Sequence, residues 1–121
     1  MPEDADQIQQ MREQLAAVSA GDVVAETAAQ LVTFAYLRLG LPQEQNLEYR
    51  DLDAARLLID AFGGLLQATE GRLGAYEPEL RQALASLRLS FAEVTREVES
   101  QEAAESGLHR PPSGLWVPGE P

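Results

Sequence analysis

Between Ala28 and Leu41 the only strongly polar residues are Gln30, Thr33 and Arg38. The segment from about Val23 to Leu39 therefore reads as a helix that is apolar almost all round. A helix of that kind is buried on most sides. In a chain of 121 residues it is either the central helix of a bundle or part of a subunit interface. Asp22 is placed to cap its start, because a carboxylate there accepts the free amide hydrogens of the first turn. Gly40 and then Pro42 stop it.

Three further helices follow from periodicity. From about Asp6 to Ser19, the residues Ile8, Met11, Leu15 and Val18 recur at spacings of 3, 4 and 3 and share one face. Gly21 ends that helix. From about Leu52 to Thr69 the apolar seam is Leu52, Ala55, Ile59, Phe62 and Leu66. Asp51 is its N-cap, and Asp53 sits where the helix dipole favours negative charge. The Gly63-Gly64 pair inside it costs about 1 kcal/mol per glycine relative to alanine. Such a pair fits a kink, a ligand gap, or a close helix approach along Ala61, Gly64 and Ala68, and the small-residue spacing favours the close approach. From about Pro78 to Glu99, the residues Leu80, Leu84, Leu87, Phe91, Val94 and Val98 form the longest seam, at spacings of 4, 3, 4, 3 and 4. Residues 42–50 read as a polar loop.

The pattern fails from Ser100. An acidic run leads into a Pro/Gly-rich tail that carries Leu115, Trp116 and Val117. Three apolar residues together suggest packing on the chain's own domain, on a sister subunit or on a partner. The expected fold is all-α: a small bundle of three main helices plus an N-terminal helix over residues 1–99, with an irregular tail over 100–121.

Charge narrows the partners. The chain has 20 acidic and 9 basic residues, all nine arginine, and a net charge of −11. That balance opposes direct binding to nucleic acid, which needs clustered positive charge. It equally opposes anionic membranes. No apolar run approaches the roughly 18 residues of a spanning helix. The opening Met1-Pro2-Glu3-Asp4-Ala5-Asp6 does not fit a secretory signal, so the expected compartment is the cytoplasm.

Catalytic equipment is sparse. There is no cysteine, no lysine and one histidine, His109. A Ser–His–Asp arrangement has nothing to build on beyond that residue. Tetrahedral zinc needs cysteine or several histidines. Gly71-Arg72-Leu73-Gly74 lacks the Lys-Ser/Thr that completes a phosphate loop. No catalytic residue, cofactor or metal is expected. Arg81 and Arg88 lie seven apart on one helical face and form a candidate anion site. Glu77 competes for Arg81 from the favourable i−4 position.

Several segments in order resemble a known family. They are Ala35-Tyr36-Leu37-Arg38-Leu39-Gly40-Leu41, Asp51-Leu52-Asp53-Ala54-Ala55-Arg56-Leu57-Leu58-Ile59, Thr69-Glu70-Gly71 and Leu87-Arg88-Leu89-Ser90-Phe91. Over residues 22–95 the chain resembles the uncharacterised bacterial family named domain of unknown function 1844, in an actinobacterial version. Two positions depart from the pattern. Ala68 stands where many members have lysine, and Arg72 stands in place of an asparagine. The resemblance implies an all-helical fold and carries no established activity, cofactor or catalytic residue. A few relatives are encoded near translation genes, which implies a translation-linked role by association alone.

These observations lead to a non-enzymatic protein that assembles or interacts, with a homo-oligomer expected and a dimer favoured. Its contact residues would be Leu31, Phe34 and Leu37 on the apolar helix and Leu115, Trp116 and Val117 in the tail. One alternative is a small-ligand-binding bundle that uses the gap beside Gly63-Gly64. Another is a translation-linked factor that touches a basic protein surface.

Overall fold

The computed structural model describes the backbone of residues 2–108 and the side chains of residues 4–105. Five α-helices follow one another: α1 (Pro2–Ala17), α2 (Ala20–Leu39), α3 (Gln43–Asn46), α4 (Leu52–Ala68) and α5 (Tyr76–Leu108). A 3-10 turn at Leu47–Tyr49 follows α3. No strand occurs among the described residues. The all-α expectation therefore holds.

Helices α2, α4 and α5 pack pairwise around one core. Phe62, Leu39 and Leu87 are its largest fully enclosed side chains. The α4 seam runs as its spacing predicts, with Ala55, Ile59, Phe62 and Leu66 buried. On α5, Leu84, Leu87 and Val94 are buried, and Leu80, Phe91 and Val98 pack half-buried against them. The apolar helix α2 contacts both others, as α4 and α5 also do, but it is not buried on most sides as its composition suggested: half of its residues, Val23 and Phe34 among them, are exposed. Its buried positions are mostly small: Ala25, Ala28, Ala35 and Leu39. Small residues let α4 and α5 approach the α2 backbone.

The N-terminal boundaries differ from the sequence expectation. Asp22 does not cap α2. Ser19 does, with its hydroxyl accepting from the Asp22 amide at 3.4 Å. Helix α2 thus begins three residues earlier than expected, at Ala20 rather than Val23, and Gly21 lies inside its first turn. Glycine is tolerated there because first-turn amides have no helical partner to lose. Asp22 instead accepts from the Tyr76 hydroxyl at 2.7 Å, which ties the start of α5 to the start of α2. Asp51 caps α4 as expected, accepting from the Ala54 amide at 3.1 Å.

The segment expected as a loop at 42–50 is mostly helical turns, and Arg50 holds it in place. Arg50 Nε donates to the Leu39 carbonyl at 2.8 Å, at the negative end of α2. Its Nη1 lies 3.9 Å from Glu97 on α5. Gly40, at φ 75°, is where α2 ends. A Cβ there would lie 3.0 Å from Arg50 Cβ and Nε. Helix α5 continues past the expected end near Glu99 and reaches Leu108.

Candidate functional site

Helix α1 stands apart from the packed body. Asp4–Ala17 meets Ala20–Leu39 at 84°, and every described side chain of α1 is exposed. The predicted face forms for Ile8, Met11 and Leu15, and no described residue buries it; α1 ends at Ala17, two residues short of the expected Ser19, so Val18 follows the helix. Ile8, Met11, Leu15 and Val18 are 53%, 61%, 70% and 50% exposed. A helix of 16 residues alone in water is marginal. Its one internal side-chain hydrogen bond, Gln9 to Glu13 at 3.2 Å, adds only about 0.2–0.5 kcal/mol. Covering the stripe would stabilise the helix more, and that gain is realised only when something packs on it.

The predicted contact residues of α2 do not form one open patch. Leu31 is half-buried against the core, and Leu37 is half-buried. Phe34 is exposed. Leu115, Trp116 and Val117 lie outside the described residues, as does His109.

The second notable place lies between α4 and α5. Gly63-Gly64 does not produce a loop, since α4 is continuous through it. The stripe Ala61, Gly64, Ala68 is exposed, so the expected close helix approach does not occur there. A Cβ on Gly64 would meet nothing within 4 Å. Gly63 is the glycine that makes room. A Cβ at Gly63 would lie 2.8 Å from Arg88 Nη2. At Gly63 the group nearest to α4 is a guanidinium rather than a helix backbone. Sequence spacing could not separate the two glycines, because the difference depends on which one faces α5.

Arg81 and Arg88 are brought to the same cleft, which has a volume of about 310 Å³. Leu66 and Leu84 give it an apolar base, and Gln67 and Glu70 stand at its edge. The two arginines differ. Arg81 is engaged, as the i−4 spacing predicts: Nη2 and Nε donate to Glu77 at 3.1 and 3.3 Å. Its Nη2 also lies 3.8 Å from Glu70. Glu77 is held further by the Gly71 amide, which donates to it at 2.8 Å. The hydrogen bond from Arg81, helped by the amide, keeps the Glu77 carboxyl below its usual range. Arg88 has no ion-pair partner among the described residues.

A cleft of about 380 Å³ between α2 and α5 is acidic instead, lined by Asp22, Glu26 and Glu79 beside Tyr76. Among the described residues no group of three acids or histidines is placed to hold a metal ion. No single described helix is long and apolar enough to cross a membrane.

Comparison with known proteins agrees with the sequence motifs. The pattern of the family described as Domain of unknown function (DUF1844) matches residues 22–93. The chain belongs to that family. The DUF1844 match takes in α2, α3 and α4 and the first part of α5. Helix α1 lies outside it. The match covers most of the packed body, and the exposed stripe lies outside it. No curated protein and no solved structure matches the chain.

Proposed function

We propose that this DUF1844 protein works by protein–protein contact, and that its first contact is with a second copy of itself through α1. The observation that carries this reading is the uncovered stripe Ile8, Met11, Leu15 and Val18. Its 3, 4, 3 spacing is that of the a and d positions of a two-stranded coil. The flanking positions then fall on Ala5, Gln7, Arg12 and Gln14, and the acids Asp6 and Glu13 fall on the far face. Asp4, in the first turn of the helix, is the one described acid at a seam position, so two copies of this acidic helix pair without facing carboxylates from Ile8 onward.

Magnitudes set the strength of the pair. Full burial of such side chains is worth about 1.5–3 kcal/mol each, and about half of each is already covered. Eight side chains in a pair gain roughly 8 kcal/mol, against an association cost of about 4–15 kcal/mol. A pair held by α1 alone is concentration-dependent, and Phe34 on α2 is a further apolar contact available to it.

Light scattering of the purified chain across a dilution series tests the proposal. The expected mass at about 100 μM is twice 13.2 kDa, falling on dilution. Met11→Glu with Leu15→Glu should hold the mass at a single chain while the helical circular dichroism of the body persists. A wild-type chain that stays monomeric at that concentration ends the proposal. So does a dimer that the double substitution leaves intact.

A further inference from the structure

We infer that the α4–α5 cleft binds a small organic monocarboxylate, with the Arg88 guanidinium holding the carboxylate and Leu66 and Leu84 taking the apolar body. Three observations carry it. The first is Gly63. Glycine in a helix interior is unfavourable, and the one side chain a Cβ there would press on is Arg88, at 2.8 Å. The glycine admits a guanidinium to the face of α4. The second is that Arg88 meets no carboxylate among the described residues. Its neighbour Arg81 is already engaged by Glu77 and Glu70. Of the two arginines in the cleft, Arg88 is the one with no carboxylate partner among the described residues, and its planar fork matches a carboxylate in a two-point grip.

The third is the cleft itself. At about 310 Å³ it is at the small end of ligand pockets. Its base is apolar, and the Gln67 side-chain amide at its edge supplies a second donor. Size and lining suit a compact acid with an apolar body. A phosphate is disfavoured because Glu70 stands at the edge and the whole chain carries −11. Repulsion grows with each added negative charge.

Benzoate serves as the probe, followed by amide chemical shifts of the full-length chain in solution. Gly63, Gln67 and Ala85 are expected to shift and saturate, with half-saturation at about 1 mM, as suits a ligand of this size. Benzamide, which has the shape without the charge, and inorganic phosphate, which has the charge without the apolar body, should leave them in place. Arg88→Gln should abolish the benzoate shifts. Gly63→Ala gives a second, independent reading. Its Cβ displaces the guanidinium while removing a helix-weakening glycine, so Tm should rise as benzoate binding weakens at least several-fold. The inference is overturned if benzoate moves none of these amides. It is equally overturned if phosphate or benzamide matches benzoate, or if Arg88→Gln or Gly63→Ala binds as well as the parent.

Discussion

Glu77 does two jobs with one carboxylate. One oxygen accepts from the Gly71 amide at 2.8 Å, and the other from Arg81 at 3.1 Å. The α4–α5 connection is thereby pinned to the first turn of α5. Because folding lowers the Glu77 pKa from its ordinary 4.5, the stabilisation is fully present above that value. It is lost as pH falls through the lower folded value. A plot of Tm against pH should therefore drop on the acid side, and Glu77→Gln should flatten that drop while lowering Tm at pH 7. An unchanged acid limb in the variant would show that the pin contributes nothing. Tyr76 has the opposite sign. The Asp22 carboxylate that accepts its hydroxyl raises its pKa above 10.0, so its contribution holds below that value and fails as pH climbs through the raised one. Arg50 is a closer balance. Its Nε bond to Leu39 is favourable, but its Nη2 is buried without a partner. A bond from a charged donor is worth about 1.5–3 kcal/mol and an unmet buried donor costs about 1–3 kcal/mol. Arg50→Met should therefore cost only about 1 kcal/mol by urea denaturation. Gly40→Ala should cost more, about 2 kcal/mol, from positive φ alone before the 3.0 Å approach to Arg50 is counted.

Phenylalanine shows how position in an element decides energy. Phe62 on α4 is fully enclosed, and Phe34 on α2 is 53% exposed. Phe62→Ala should cost about 3–5 kcal/mol in chemical denaturation, and Phe34→Ala within about 0.5 kcal/mol. Equal losses would mean that the α2 face is covered within the single chain. The same contrast explains what could be read from sequence. Apolar periodicity reports a face that needs cover. It found the α4 and α5 seams residue by residue because α2 covers them. It ended α5 near Glu99 because the described residues beyond are exposed and carry no large apolar side chain, although the backbone stays helical to Leu108. It found the α1 stripe but could not say that no described residue buries it. Of the candidate site, Arg81, Arg88 and the glycine pair were legible as residue types. Their meeting was not, since it depends on the rotation of α4 against α5. Capping was ambiguous at α2 for a similar reason. Ser19 and Asp22 are both good caps, and Tyr76, 54 positions on, takes Asp22.

At the scale of the molecule, the body and α1 are separable in energy. Every buried apolar residue among the described ones comes from Ala25 onward, and α2 carries its own cap in Ser19. Removing residues 1–18 therefore takes away no core contact and no described capping group. What it removes is the stripe, and with it the gain from covering that stripe. The truncated chain should melt cooperatively, with Tm measured on dilute samples within a few degrees of the parent. At high concentration the two should diverge. The parent gains stability from self-association by mass action, and the truncated chain has no such gain. Tm should thus rise with concentration for the parent and stay flat for the shortened protein. A shortened chain that fails to fold would make α1 part of the folding unit, and its exposed face would then need a different explanation. A shortened chain whose Tm still rises with concentration would move the self-contact from α1 to the α2 face around Phe34.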